Sequence, residues 1–368
     1  MDLWEKQITD IIAEAKAQKE GYANKWLRDV KKYDKVCIFG AGAHGMAWYH
    51  ILKSLDLQVE YFCDNNEAKW GTYIVDHVMC VSPEQCKEES AALAIIIAVQ
   101  KYSQIYEQVL QWSKPSDIFI ASINRISFVV NYEYMGNASK LDTLYERIMK
   151  VMNLYEDEKS KAVCCQTLRR WLLDEEAQID FHGESYFYTE YIDLSPRECL
   201  VDAGAFDGDT IQSFIEVTKN QFERIYAFEM DKRNFKALKD KLGSQDSIEL
   251  YPIGLSDQKN IGYYDSNFHS TVLSDQGTEQ CETDCLDHVL ENKTVTMIKM
   301  DIEGSEKKAL KGAETIIREQ KPKLAICIYH SADDFLDIPI YLKELNPEYK
   351  IFIRHHSTSE SETVCYAY

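Results

Sequence analysis

The residues best placed to do chemistry stand at the ends of short apolar runs. In residues 200–210, LVDAGAFDGDT, Asp202 closes an apolar pair, and Gly204 and Gly208 let the backbone turn before a helix begins near Thr210. Glycines permit angles and close approaches that a side chain blocks, and free amides at a helix start favour polar or anionic groups, so the turn can hold a nucleotide. RIYAFEMD ends in Glu229, a carboxylate able to accept hydrogen bonds from both hydroxyls of a ribose. IELYPIGLSD ends in Asp257, a residue that a turn favours on its own account. TVTMIKMDIEG carries Lys299, Asp301 and Glu303 at its end, and LAICIYH ends in His330. Carboxylates and an imidazole so placed can take a proton or hold a hard cation. An earlier segment, KVCIFGAGAHGMAWYHILKSL, repeats the pattern with Gly40, Gly42 and Gly45 in GxGxxG spacing and His44 at the helix entrance. Asp64 closes the next apolar run, about where a ribose-binding acid would stand.

These positions require strands whose carboxyl ends share one edge, which is where ligands bind in open α/β sheets. The fold class expected is α/β, with two Rossmann-like domains joined by a helical connector. Residues 1–32 read as an amphipathic N-terminal helix, because Trp4, Ile8, Ile11, Ile12 and Ala15 recur at helical spacing. That stripe packs on the next domain or forms a homo-oligomer with a second copy, ordinary packing being preferred. Residues 33–126 form the first Rossmann-like domain, 127–182 the connector and 183–368 the second domain. ALAIIIAV, residues 92–99, is a buried strand, far short of the roughly 20 residues a membrane helix needs. LAICIYH, YKIFIRHHS and ETVCYAY read as three strands, the last two joined by a polar turn at 357–362 that leaves His355 and His356 as surface residues.

The order VDAGAFDGDT, AFEMD, IGLSD, KMDIEGSEKKALKGA and CIYH resembles the FkbM-type family of S-adenosylmethionine-dependent methyltransferases, mostly O-methyltransferases of sugars and secondary metabolites. The resemblance covers about 186–368. It implies a class I methyltransferase sheet of seven strands whose last two are antiparallel, and S-adenosyl-L-methionine bound by Asp202, Gly204, Phe206, Gly208, Glu229 and Asp257. Phe206 would cover the cofactor. The loop AGAFDGD departs from the more glycine-rich GxGxG of many methyltransferases and matches this family. In such enzymes the aromatic segment SYFYTEYIDL lies near the cofactor entrance, so Tyr186, Tyr188 and Tyr191 are candidates for a substrate wall. Residues 35–125 resemble the nucleotide-binding N-terminal domains of sugar acyltransferases and related sugar-processing enzymes. That resemblance implies a nucleotide, a nucleotide sugar or NAD at Gly40, Gly42, His44, Gly45 and Asp64. The same glycines also suit a strand-to-helix turn that binds nothing, and both readings stand.

A sulfonium is already a good leaving group, so an enzyme transferring its methyl mainly holds the acceptor in line. A hydroxyl acceptor further needs its proton removed or its pKa lowered. Asp301, Glu303 and His330 are the catalytic candidates. In one scheme His330 or Asp301 takes the proton. In the other, Asp301, Glu303 and a histidine hold a divalent metal. The first is preferred, since no ligand set in the sequence demands a metal. Glu303 could instead cap the helix from Ser305, Lys299 could pair with a neighbouring carboxylate, and His269 could meet substrate or nothing. The expected acceptor is a small molecule or glycan hydroxyl. Two other classes are kept: a nucleotide-sugar or NAD enzyme centred on the first fingerprint, and a non-catalytic binding protein.

Composition bounds the partners. A formal net charge of -20 argues against nucleic acid and against an anionic membrane surface. Eleven cysteines form no CxxC pair and no disulfide framework, and no signal-peptide pattern opens the sequence, so reduced thiols in the cytoplasm are expected. The adjacent Cys164 and Cys165 read as buried thiols.

Overall fold

The computed structural model describes residues 2–90, 93–99, 102–121, 125–173, 179–183, 186–187, 192–267, 270–273, 279–357 and 362–368. Tyr188, Tyr191 and His269 lie outside them. Contacts divide the chain into two compact units, one built on Ile11–Leu141 with a short return at 170–173, the other on residues 2–10, Asp142–Arg169 and 179–368. The segment expected as a connector is thus shared between them.

The chain opens with α1 (Leu3–Ala17) and α2 (Tyr22–Val30), so the single helix expected over 1–32 is two. The break falls at Gly21, where a Cβ would lie 2.1 Å from the Asn131 side-chain oxygen, which itself accepts the Ala23 amide. Ile8, Ile11 and Ala15 are fully buried within the single chain and Ile12 almost so. Packing within the chain thus takes up Ile8, Ile11, Ile12 and Ala15, while Trp4 of the same stripe is only half-buried.

The first unit carries β1 (Lys35–Phe39), α3 (Ala43–Ser54), β2 (Tyr61–Cys63), β3 (Tyr73–Val75), β4 (Val78–Val81), α4 (Pro83–Glu88), β5 (Leu93–Ile97), α5 (Tyr102–Leu110), β6 (Ile118–Ile120) and α6 (Arg125–Tyr134). Its sheet order is β3-β4-β2-β1-β5-β6, parallel throughout except for β3. The run at 92–99 supplies β5, whose five residues are fully buried, as a strand covered on both faces must be. Chain order reverses between β1 and β5, and the glycine fingerprint sits at that switch point.

The second unit follows α7 (Ala138–Met152) and α8 (Glu158–Leu173) with β7 (Cys199–Ala203), α9 (Asp209–Val217), β8 (Arg224–Phe228), α10 (Lys232–Leu242) and β9 (Ile248–Tyr251). A smaller sheet is inserted next: β10 (Ile253–Leu255), β11 (Asn260–Asn267), β12 (Ser270–Leu273) and β13 (Glu279–Asp284), then α11 (Leu286–Val289). The main sheet resumes with β14 (Met297–Met300), α12 (Glu306–Lys311), α13 (Glu314–Gln320), β15 (Lys323–Cys327), α14 (Ala332–Leu345), β16 (Ile351–His355) and β17 (Thr363–Ala367). The seven strands order as β16-β17-β15-β14-β7-β8-β9, with β17 antiparallel to both neighbours. This is the class I methyltransferase arrangement that the sequence led us to expect.

Two local expectations change. IELYPIGLSD is not one strand: Pro252, which has no N–H to give a ladder, separates β9 from β10, and β10 pairs with β13 in the smaller sheet. His355 and His356 are not surface residues. His355 is 1% exposed with Nδ1 2.9 Å from the Thr363 hydroxyl, and His356 is held between the Gly183 carbonyl and the Tyr366 hydroxyl. All eleven cysteines are free thiols, and Cys164 and Cys165 are buried.

Candidate functional site

β7 ends in the second unit's glycine loop, and the loop has little freedom. Gly204 has φ +76°, and a Cβ there would lie 1.9 Å from the carbonyl oxygen of Asp301 across the switch point between β7 and β14. Only glycine satisfies both demands. Phe206 also has positive φ, 47°. Gly208, at φ +87°, begins α9 and makes room for Leu238 and Leu242. Glu229 stands just past β8 and is 7% exposed; its two carboxylate oxygens accept the amides of Phe206 at 2.9 Å and Asp231 at 2.7 Å. Burial lifts this carboxyl to about 7 against the opposing pull of those amides. Each oxygen keeps a lone pair, so Glu229 both braces the loop and can receive a ribose hydroxyl.

Asp202 is placed differently. It lies within β7, fully buried, opposite Lys299 on β14, with 3.1 Å between carboxylate and ammonium. Lys299 also donates to the Gly204 carbonyl at 3.0 Å. Burial pulls its pKa down, but Asp202 and Asp301 outweigh that and hold it above the ordinary lysine value. Asp202 is thus a brace beneath the loop. Asp257 is exposed beyond β10, where its carboxylate accepts the Ser256 hydroxyl at 3.2 Å and makes no hydrogen bond to Glu229 or the loop.

Asp301, at the end of β14, is the centre of a second cluster. It accepts the hydroxyls of Tyr186 and Tyr329, each at 3.2 Å, and its Oδ1 lies 3.4 Å from His330 Nε2. Glu303, in the left-handed turn before α12, puts Oε2 3.5 Å from the same nitrogen. Glu306, fully buried at the start of α12, accepts the Ile302 amide at 2.8 Å and faces His330 Nδ1 at 3.1 Å. Burial lowers the His330 pKa, yet Glu306, Asp301 and Glu303 together raise it to about 9. The surrounding carboxylates therefore favour the protonated imidazole. Glu362, beside β17, lies 2.7 Å from the Tyr186 hydroxyl and 3.4 Å from that of Tyr329, so each hydroxyl's single proton is shared between Glu362 and Asp301. Glu306, Tyr329 and Glu362 were not singled out in the sequence; the spacing of Glu306 three residues after Glu303 and the position of Tyr329 before His330 were the only signals.

The first unit repeats the loop geometry with another charge balance. A Cβ at Gly40, φ +120°, would lie 2.7 Å from the Ala98 carbonyl oxygen, and one at Gly45 1.8 Å from the Gly40 carbonyl oxygen, whereas one at Gly42 meets nothing within 4 Å. Asp64 accepts the amides of Ala41 and Asn66, each at 2.9 Å, as Glu229 does in the second unit. Lys69 Nζ also lies 2.8 Å from Asp64. Burial pushes this carboxyl up, but Lys69 and the amides outweigh it and hold it below the ordinary aspartate value. His44 is half-buried; burial and Arg125 lower its pKa, and its Nε2 has no hydrogen-bond partner among the described residues.

Residues 202–349 match the family model described as the methyltransferase FkbM domain. The chain is similar over 100% of its length, and 99% of the other, to the crystal structure of methyltransferase FkbM from Methylobacillus flagellatus KT, at 21% identity and a TM-score of 0.66. An rRNA methylase from Streptococcus thermophilus matches over 47% of this chain and 87% of its own, at 16% identity and a TM-score of 0.32. No curated protein matches the chain. The domain match supports an S-adenosylmethionine-dependent methyltransferase, and the first of these structures shares its fold.

Proposed function

We propose that this protein is an S-adenosylmethionine-dependent O-methyltransferase acting on a sugar or glycan hydroxyl. The observation that carries the reading is that the segment matching the methyltransferase domain, 202–349, contains the glycine loop, Glu229, Asp301, Glu303, Glu306 and His330. The loop residues fit the cofactor, because Gly204 and Gly208 keep the backbone free of side chains where it must approach a ligand and Glu229 offers unneutralised carboxylate lone pairs. When bound, S-adenosylmethionine supplies an electrophilic methyl group on a sulfonium. Gly204, Phe206 and Gly208 bind it and Glu229 orients the ribose. Asp301 receives the acceptor's proton while Tyr186 and Tyr329 fix its carboxylate by their hydroxyl groups. His330, protonated, lends positive charge to the developing alkoxide.

A sugar suits a site rimmed by carboxylates and tyrosine hydroxyls better than an apolar acceptor does. The first unit would carry a nucleotide-sugar site of its own at Gly40, Gly42 and Gly45. Gly42 favours this, since neither its backbone angles nor its packing require glycine, while a ligand's close approach would. Asp64, already paired with Lys69 and with the amides of Ala41 and Asn66, is a weaker ribose acceptor than Glu229 for any nucleotide held there. The test is incubation with S-adenosylmethionine labelled in its methyl group and a panel of nucleotide sugars and free glycans. Label in an alkali-stable methyl ether supports the reading; label confined to nitrogen, carboxyl or protein, or none at all, refutes it.

A further inference from the structure

The His330 cluster holds more negative charge than one imidazole can neutralise. Asp301, Glu303 and Glu306 surround it, and Asp334, 4% exposed, is a further buried carboxylate, accepting the Ser331 hydroxyl at 2.7 Å. The two neighbouring lysines are engaged elsewhere, Lys299 with Asp202 and the Gly204 carbonyl, Lys307 with Asp337 at 2.7 Å. Glu306 is wholly buried and the His330 side chain only 10% exposed. Despite the short separations, neither His330 nitrogen nor Glu306 Oε2 has a partner in hydrogen-bonding geometry among the described residues. Buried charge is costly unless it is paired or bound to a metal.

We propose that Asp301, Glu306 and His330 form a binding site for a divalent, oxygen-preferring metal ion. One ligand atom from each lies within 4.8 Å of the others, close enough to surround a single ion. Two carboxylates and one imidazole favour a hard or borderline ion such as Mn²⁺ or Mg²⁺, with water or substrate oxygens completing the shell. The sequence pointed to Asp301 and Glu303 as metal ligands; the geometry puts Glu306 in the set and Glu303 at its edge. The purpose of the site rests on the methyl-transfer reading: a metal beside the acceptor would lower its hydroxyl pKa, taking over the charge stabilisation otherwise given by the His330 proton.

The test is titration of chelator-treated full-length protein with Mn²⁺ alone, followed by electron paramagnetic resonance and calorimetry, beside His330→Ala and Glu306→Gln. One Mn²⁺ per chain is expected, with each substitution weakening it by about tenfold or more. Pulsed spectra of the wild-type protein should show coupling to a histidine nitrogen, a readout that stands even if a variant fails to fold. Absence of binding at millimolar Mn²⁺, unchanged affinity in both folded variants, or bound Mn²⁺ without nitrogen coupling overturns the proposal. A parallel titration with S-adenosylmethionine separates the two readings: cofactor binding without Mn²⁺ refutes the metal site alone, and Mn²⁺ binding without cofactor refutes methyl transfer alone.

Discussion

The Glu229 carboxylate accepts the Phe206 amide at 2.9 Å, which ties the end of β8 to the glycine loop after β7. In the proposed reading the same carboxylate receives the ribose, so bracing and binding would share a side chain. Glu229→Ala should weaken S-adenosylmethionine by about 1–3 kcal/mol, the scale of lost hydrogen bonds to a charged group. Equilibrium dialysis measures this, and unchanged affinity would remove Glu229 from the cofactor site.

Burial sets the pH response of the same residue. Its carboxyl titrates at about 7 in the folded chain against an ordinary 4.5, so between these values the folded state keeps a proton that the unfolded chain has released. Its contribution to stability is therefore greatest below 4.5 and falls as pH rises through 7, by on the order of 3 kcal/mol. Urea unfolding from pH 4.5 to 8 should show the wild type losing stability relative to Glu229→Ala. Cofactor affinity should move the opposite way, tightening as the carboxylate ionises. Parallel stability curves for the two proteins would contradict the assignment.

The two glycine loops offer a paired test. Gly204→Ala must displace the Asp301 carbonyl and adopt a left-handed angle, and should cost about 2–4 kcal/mol in unfolding free energy together with cofactor binding. Gly42→Ala meets open space at φ -110°, so its stability should stay within about 0.5 kcal/mol. A nucleotide-sugar affinity lost in Gly42→Ala with stability intact would mark the first unit as a binding site.

Lys299 and Asp202 form a buried pair beneath the cofactor loop. Lys299→Met leaves Asp202 without its counter-ion and should destabilise by about 3–5 kcal/mol, whereas adding Asp202→Asn should recover a large part of that loss. Chemical unfolding of the single and double variants decides it: additive losses would mean that the two side chains are not coupled.

Much of this architecture could be read locally. Apolar runs ending in Asp202, Glu229, Asp301 and His330 marked β7, β8, β14 and β15, because buried parallel strands leave continuous hydrophobic signals. The glycine turns were equally visible. Strand register was not, and it is register that sets Lys299 opposite Asp202. Glu306 reads as one more charge on a surface helix; only the packing of α12 beside the end of β15 reveals its burial and its approach to His330. Glu362 is brought to Asp301 and Tyr186 by the β16–β17 hairpin, a long-range pairing without a local motif. IELYPIGLSD reads as one strand because its periodicity does not show that Pro252 diverts β10 into the inserted sheet.

Calorimetric titration of the full chain with S-adenosylmethionine tests the central claim most directly. The account predicts one cofactor bound per chain and competition by S-adenosylhomocysteine. No heat with either compound, at protein concentrations that would reveal a millimolar affinity, would contradict it.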